Sequence, residues 1–229
     1  MLLLFSKKFG KVSAAVAGDR GKNSSSLAFR PFTHGRYSLY KGRGMYNINS
    51  AEVIKAYYGI GEDFEKYTCA SIVLEFTEKL LPENIQQTEL FKLILDFFDL
   101  IETRKKKHMT LVIGYQLKTF QISGHKPETE LCVVCGKNED LNFFSVKDGG
   151  VMCSKCRNNI SAGINDELLY NISFDIIKVL RYFFDSSLKS IENMALDEEI
   201  LTKLHALIKD YRACHFGINE LKSEEFLKT

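Results

Sequence analysis

The sequence predicts an α+β protein of several domains, in which a small β-barrel is followed by helices that a cysteine-rich module interrupts. Short apolar runs separated by turn residues fill residues 1–49 without a helical pattern, which favours a barrel of short strands. From about Ala51 the hydrophobic period becomes that of helices. Two closely spaced pairs of cysteines then interrupt the helical pattern.

Alternation within the predicted strands indicates which side chains share a face. The candidate strands are residues 2–5, 11–17, 35–40 and 45–48. In the third strand Arg36 and Tyr40 lie on one face and Tyr37 on the other, because successive strand residues point in opposite directions. We therefore expect one tyrosine in the core, and we expect Tyr40 at the surface beside the cation.

Helix signals follow the barrel. Thr88 is predicted as the N-cap of a helix over 89–102, and Gly124 is predicted to close a helix over 110–123. Further helices are predicted over 62–81, where Pro82 ends the helix, over 174–184 and over 197–216.

Four cysteines form two CxxC pairs separated by 17 residues: Cys132, Cys135, Cys153 and Cys156. This frame is typical of a structural zinc site, since two tight turns can each present two thiolates to one tetrahedral ion. Gly136 follows the first pair, where such a turn favours glycine. Four thiolates leave no open coordination position, so the ion is expected to brace the fold. A redox pair and two disulfides are the alternatives, but neither explains why both pairs have the same gap.

Charge is distributed unevenly along the chain. Residues 1–48 hold nine Lys or Arg against one acidic residue, Asp19, which gives this segment a charge of +8. The remainder carries 22 basic and 28 acidic residues, so its charge is −6 and that of the whole chain is +2. A nearly neutral protein with one basic end is typical of a polyanion-binding module attached to an acidic scaffold.

Several classes of function lack support in the sequence. No window approaches the ~18 apolar residues of a membrane span, and the apolar start is too short for a signal peptide. Unpaired thiols beside the CxxC pairs suit a reducing cytoplasm. The sequence has neither a phosphate-binding loop motif nor a recognisable Ser, His and acid arrangement, and its five histidines lack metal-ligand spacing. We therefore expect a protein that is not an enzyme.

Seven segments in a fixed order carry a resemblance to a known family. They are residues 4–13 (LFSKKFGKVS), 17–22 (AGDRGK), 39–44 (LYKGRG), 75–83, 117–127, 131–136 (LCVVCG) and 143–156. Together they resemble the bacterial RecO family of DNA repair and recombination mediators. The resemblance covers most of residues 1–160 and fades into unspecific helices beyond them.

The resemblance implies an OB-fold at residues 1–49, followed by a helical domain in two parts, 50–126 and 161–229. A zinc-ribbon-like module at 127–160 would be inserted between these parts. Family members usually have a further strand and a tight turn before the segment that begins here at Met1. The barrel is therefore expected to lack its first strand, which would leave a sheet edge unpaired.

The resemblance also implies binding of single- and double-stranded DNA, strand annealing, and loading of RecA together with RecR. RecR and single-stranded DNA-binding protein would be its partners, in the bacterial cytoplasm and associated with the nucleoid. Cations that neutralise phosphates and aromatic rings that stack on bases would supply the affinity. The residues expected to contact DNA are Lys11, Arg20, Lys22, Arg36, Tyr40, Lys41 and Arg43.

Other interpretations of these features remain open. The basic residues of the strands could form only a solvated face. The run 104–108 is expected to be a solvated cluster at a helix C-terminus, with DNA or the acidic tail of single-stranded DNA-binding protein as alternatives. A metal-dependent nuclease would need clustered carboxylates, and the basic end offers only Asp19. A zinc-braced adaptor that binds only proteins is the other rival.

Overall fold

The structure is a computed structural model that describes residues 1–16, 26–42, 45–159 and 168–228. The chain divides into two compact units, one of Met1–Arg104 with the residues from Phe226 onwards, and one of Lys105–Glu225. The first holds a sheet and three helices, and the second holds four helices and a smaller sheet among the residues described. The mixed α+β class is thereby confirmed, while the domain boundaries at 49, 126 and 160 stay predictions.

The sheet of the first unit has four described strands. They are β1 (Leu2–Ser6), β2 (Gly10–Val16), β3 (Thr33–Lys41) and β4 (Tyr46–Ala56). The spatial order is β1-β2-β4-β3, in which β2 and β4 are parallel and the other two pairings are antiparallel. The order of these four described strands fits part of the five-stranded sheet of an OB-fold.

The sequence placed the change from strand to helix too early. The period was predicted to become helical from about Ala51, but β4 continues to Ala56 and pairs with the first half of β3. Its last residues include alanine, glutamate and lysine, which favour helices in isolation. Pairing with β3 outweighs that local preference, because β propensity depends on the neighbouring strand more than on the residue itself.

Three helices complete the first unit: α1 (Tyr58–Gly61), α2 (Phe64–Leu80) and α3 (Thr88–Thr103). Asp63 caps α2 through a carboxylate oxygen that accepts the N–H of Lys66 at 3.0 Å. The predicted N-cap Thr88 is wrong: Thr88 is the first helical residue, and Gln87 precedes it without a side-chain cap. The hydroxyl of Thr88 instead accepts a hydrogen bond from Gln86 at 2.9 Å.

The second unit begins with α4 (His108–Ile122), which is buried on nearly every side, as expected of a central helix. Its predicted closure at Gly124 is confirmed. Gly124 has φ +77°, its N–H donates to Gln121 O at 3.1 Å, and the N–H of His125 donates to Phe120 O at 2.8 Å. These two bonds define a Schellman motif, for which glycine is favoured because its φ is positive.

A small sheet and three further helices follow. The strands are β5 (Leu141–Ser145), β6 (Gly150–Cys153) and β7 (Leu169–Asn171), in the antiparallel order β6-β5-β7. The helices are α5 (Ser154–Asn158), α6 (Phe174–Asp185) and α7 (Glu198–Phe216). The predicted helices over 174–184 and 197–216 are therefore confirmed, and the side chains of Ser173 and Asp197 cap them.

The basic run 104–108 is not the uniformly solvated cluster that was expected. Arg104 ends α3 and is buried, and His108 begins α4 and is 1% exposed. Lys107 lies between them with φ +57° and forms an ion pair with Glu198. The run joins two helices. Two of its side chains are buried and a third forms an ion pair, so these three belong to the folded structure. A role in contacting DNA or an acidic tail stays a prediction.

Candidate metal centre and nucleic-acid interface

The four predicted cysteines converge in the second unit. Every pair of their Sγ atoms lies within 4.8 Å, and the Sγ atoms of Cys135 and Cys153 are 3.8 Å apart. Four Zn–S bonds of about 2.3 Å place the sulfurs of a tetrahedron roughly 3.8 Å from one another. The thiols are unbonded, since a disulfide needs about 2.05 Å. Their number, type and spacing fit one tetrahedral ion such as Zn²⁺.

The first cysteine pair lies in a tight turn whose backbone is fixed by hydrogen bonds. The N–H of Gly136 donates to Cys132 O at 2.8 Å, and the N–H of Cys132 donates to Lys137 O at 2.7 Å. Gly136 has φ +72°, so the expectation that the turn requires glycine here is confirmed. The turn brings both thiols of the pair to one side.

The second pair is positioned by the β5–β6 hairpin. Cys153 ends β6 and Cys156 lies one turn further, in α5. The two turns are joined because the N–H of Val133 donates to Val151 O at 2.9 Å, and the N–H of Cys153 points at Cys132 Sγ at 3.4 Å. Gly150 lets the segment at Glu128, which leads into the first cysteine turn, lie directly against β6. A Cβ at position 150 would be only 2.4 Å from Glu128 O.

Two of the four thiols have shifted pKa values. Burial opposes ionisation of Cys132, but N–H groups of Cys153, Cys135 and Val134 point at its sulfur and lower its pKa to about 6. Hydrogen bonding with Cys135, burial, and the neighbouring thiols raise the pKa of Cys156 to about 12. The pKa values of Cys132 and Cys156 are thus shifted in opposite directions, whereas a bound divalent cation deprotonates coordinating thiols outright.

The sheet of the first unit carries three of the predicted DNA contacts on its exposed surface. Arg36, Tyr40 and Lys41 are exposed, and Tyr40 has 43% of its surface accessible. Tyr37 is half-buried, and its hydroxyl donates to Ala28 O at 2.5 Å. The predicted surface position of Tyr40 is confirmed, whereas the other tyrosine is only partly buried and is not a core residue. Arg36 forms an exposed ion pair with Glu52 at 3.1 Å, a carboxylate that the charge count of residues 1–48 left out.

The other predicted contacts are placed differently. Lys11 donates through Nζ to the main-chain oxygen of Glu78 at 3.0 Å, so its ammonium is engaged at the end of α2. Arg20, Lys22 and Arg43 lie outside the described residues. Their contacts with DNA, like those of the whole predicted set, stay predictions.

One cationic and aromatic feature was missed by the sequence reasoning. Lys7, Lys8 and Phe9 form the turn between β1 and β2, and all three are exposed, Phe9 at 57%. The hydroxyl of Ser6 accepts the N–H groups of Lys8 and Phe9, each at 3.3 Å, which fixes the turn. Two lysines next to an aromatic residue at a strand end were a usable signal, because a surface phenylalanine between cations suits base stacking and phosphate neutralisation.

The fold and its cysteine cluster together define a class of protein: an OB-like sheet unit with surface cations, followed by a helical unit in which four thiols converge. Within the described residues no helix is both long and apolar enough to cross a membrane. Two family models match the sequence. They are "Recombination protein O N terminal" over residues 1–57 and "Recombination protein O C terminal" over residues 61–225.

The chain therefore belongs to the RecO family of DNA repair proteins. It is similar to the DNA repair protein RecO of Thermoanaerobacter sp. (strain X514), with 29% identity over 98% of this chain and 88% of the relative. It is also similar to the DNA repair protein RecO of Alkaliphilus metalliredigens (strain QYMF), with 29% identity over all of this chain and 91% of the relative.

Proposed function

We propose that this protein is a mediator of DNA repair and homologous recombination that binds single- and double-stranded DNA and anneals complementary strands. It would help RecR to load RecA, and single-stranded DNA-binding protein would be a further partner, in the bacterial cytoplasm. The observation that carries the proposal is the exposed set of cations and aromatic rings on the OB-like sheet, Arg36, Tyr40 and Lys41, with the turn of Lys7, Lys8 and Phe9 at its end. Family membership supports the choice of DNA as the polyanion.

The proposed mechanism is electrostatic and requires no covalent step. Lysines and arginines neutralise phosphates and release counterions, which gives affinity independent of sequence. Tyr40 and Phe9 stack on unpaired bases. Two strands held on one cationic surface repel each other less and meet at a higher local concentration, so they anneal without nucleotide hydrolysis.

We further propose that the four thiols hold Zn²⁺ in a structural, zinc-ribbon-like module. The support is the fit of the sulfur spacing to a tetrahedron and the all-thiol donor set. Cys132, Cys135, Cys153 and Cys156 would be the ligands. The ion would connect the turn of the first pair to the β5–β6 hairpin and leave no position for a substrate.

A double variant, Tyr40→Ala with Lys41→Glu, tests the DNA surface. It removes one stacking ring and reverses one charge on exposed side chains, so affinity for labelled oligo(dT) is expected to fall at least about tenfold by fluorescence anisotropy. The matched control is Tyr58→Ala with Lys92→Glu, which makes the same changes at exposed positions of α1 and α3. Equal losses in the two variants would mean that net charge alone governs binding. Unchanged binding in the first would contradict the assignment of this surface.

A further inference from the structure

The four thiols of the cysteine cluster differ in their exposure to solvent. Cys135 is exposed and Cys156 is half-buried, whereas Cys132 and Cys153 are buried. The exposed sulfur belongs to a turn whose residues 134–140 are all exposed. One ligand of a site that is otherwise shielded therefore lies within reach of small molecules in solution.

Exposure decides which sulfur of the chain a small oxidant attacks. The reactive form of a cysteine is the thiolate, and a bound divalent cation holds its ligands in that form. No atom shields the outer side of the turn, since a Cβ at Gly136 would meet nothing within 4 Å. Cys69 is fully buried, and Cys214 is exposed but lies outside the cluster, where a bound cation would not deprotonate it. Cys135 is therefore the first target.

A second sulfur lies close enough to complete a disulfide. The Sγ atom of Cys153 is 3.8 Å from that of Cys135. A disulfide has an S–S distance of about 2.05 Å, so a small movement of the two turns closes the bond. The two residues belong to different CxxC pairs, and Cys153 is the last residue of β6. A bond between them would remove one ligand from each pair and would shift the end of the hairpin.

We propose that the cluster is a peroxide-sensitive switch, in which oxidation joins Cys135 to Cys153 and releases the metal ion. This proposal rests on the zinc site proposed above. The Cys135 thiolate attacks one oxygen of hydrogen peroxide, the O–O bond breaks, and the leaving hydroxide takes up a proton to become water. Cys135 is then a sulfenic acid.

The second step forms the disulfide. The Cys153 thiolate attacks the sulfur of the sulfenic acid, an S–S bond forms, and the S–O bond breaks. The leaving hydroxide takes up a second proton and becomes the second water. Two thiolates have then lost two electrons in total, and these have reduced one peroxide to two waters.

Oxidation changes both the metal site and its surroundings. Only Cys132 and Cys156 remain as ligands, and two thiols are too few for a structural zinc site. The hairpin also contacts α7, because His215 Nε2 bonds to Val146 O at 2.7 Å. A shift of the hairpin therefore loosens its contact with that helix. The disulfide keeps the two turns joined, so a dithiol reductant and zinc can restore the site.

The test uses the wild-type full chain, which is purified in reductant, freed of it, assayed for zinc and then treated with hydrogen peroxide. A chromogenic chelator should record the release of the ion. Peptide mass spectrometry should find Cys135 bonded to Cys153, with Cys132 and Cys156 as free thiols. Hydrogen exchange of 141–153 and of α7 should be at least about threefold faster in the oxidised chain. Dithiothreitol followed by zinc should reverse all three changes.

Two matched variants, Cys135→His and Cys156→His, identify the sulfur that reacts. Each replaces a thiolate by an imidazole, which also binds zinc. Cys135→His lacks the exposed sulfur, so peroxide should release its zinc at least about tenfold more slowly than from the wild type. Cys156→His retains both reacting sulfurs and should release zinc within about twofold of the wild-type rate, as should Cys214→Ser.

The outcomes separate the switch from the zinc site beneath it. A purified wild-type chain without zinc would contradict both. A chain that holds zinc and keeps it in peroxide, or that forms its disulfide between other cysteines, would overturn the switch alone. Equal rates of release from the two histidine variants would do the same, and unchanged exchange in α7 would overturn the coupling to that helix. The disulfide is mapped in the wild-type chain, so this result does not depend on the folding of a variant.

Discussion

Replacing Cys132 and Cys153 by serine together is expected to abolish zinc binding and to unfold the module around the β5–β6 hairpin. Each change removes one thiolate from a different CxxC pair, so neither turn retains two ligands. Structural zinc contributes about 10–16 kcal/mol of apparent binding free energy in finger peptides, and that energy is folding energy. A loss on this scale exceeds what the hydrogen bonds of a three-stranded sheet can replace.

The effect should extend to α7, because the hairpin packs on that helix. The imidazole Nε2 of His215 bonds to Val146 O at 2.7 Å, next to the turn of the hairpin. Tyr211 stacks on His215 at 4.2 Å and donates to His125 O at 3.0 Å. When the hairpin unfolds after loss of the metal ligands, the hydrogen bond between His215 and Val146 is lost with it. We therefore expect α7 to exchange its amide hydrogens faster in the double variant.

Elemental analysis and thermal unfolding measure this result. The wild-type chain should contain one zinc per molecule and the double variant none, with a lower and broader unfolding transition. Cys214→Ser is the control, since Cys214 is an exposed cysteine outside the cluster and its loss should change neither value. Purified wild-type protein without zinc, or a double variant that unfolds like the wild type, would contradict the assignment of the centre.

Glu224→Gln is expected to destabilise the second unit by about 3–5 kcal/mol, because it leaves a fully buried arginine without its counter-charge. Arg212 has no exposed side-chain surface, and it donates to both carboxylate oxygens of Glu224 at 2.5 Å. His205 approaches the same carboxylate at 3.3 Å. The pair attaches the segment that follows α7 to the helix itself.

The pH dependence of stability should report the same pair. Burial raises the pKa of Glu224, but hydrogen bonds from Arg212 and His205 outweigh it and lower the pKa from its ordinary value of 4.5 to about 2. A carboxyl with a lower pKa in the folded state stabilises the fold above its unfolded pKa. Stability from this group should therefore be complete above about pH 5 and should be lost as the pH falls towards 2.

Urea unfolding followed by circular dichroism separates the charge effect from simple truncation. Glu225→Gln makes the same change at the next position, which is exposed, and should alter stability by less than about 0.5 kcal/mol. Arg212→Met with Glu224→Met should recover much of the loss, since removal of both charges leaves no unpaired ion. A Glu224→Gln protein as stable as the wild type would contradict this account, because it would show that other groups balance the charge of Arg212.

Local signals in the sequence were enough for most elements and for the cluster of four cysteines. Pro82 and Gly124 mark helix ends through their own backbone geometry, so these ends could be read without the rest of the fold. The CxxC spacing predicted that four thiols converge, because each pair is a local turn and the hairpin between them is short. The alternation of this strand likewise placed Arg36 and Tyr40 at the surface correctly.

The errors arose where distant residues decide the outcome. Strand β4 extends to Ala56 because it pairs with β3, and no local sequence pattern predicts that pairing. The DNA contact of Lys11 stays a prediction, but the bond of its ammonium to the end of α2, 67 residues further along, could not be read from the sequence. The pairing of Arg212 with Glu224 was also invisible, since the sequence gives no sign that either side chain is buried.

The measurement that tests the central claim most directly is the salt dependence of oligo(dT) binding by the full chain. If exposed cations of the sheet neutralise phosphates, the logarithm of the association constant should fall linearly with that of salt concentration, by about 0.7 for each phosphate contacted. Lys7→Glu with Lys8→Glu should make that slope shallower by about 1.4. A flat response in the wild-type protein, or a slope that these two changes leave intact, would contradict an electrostatic DNA surface at this sheet.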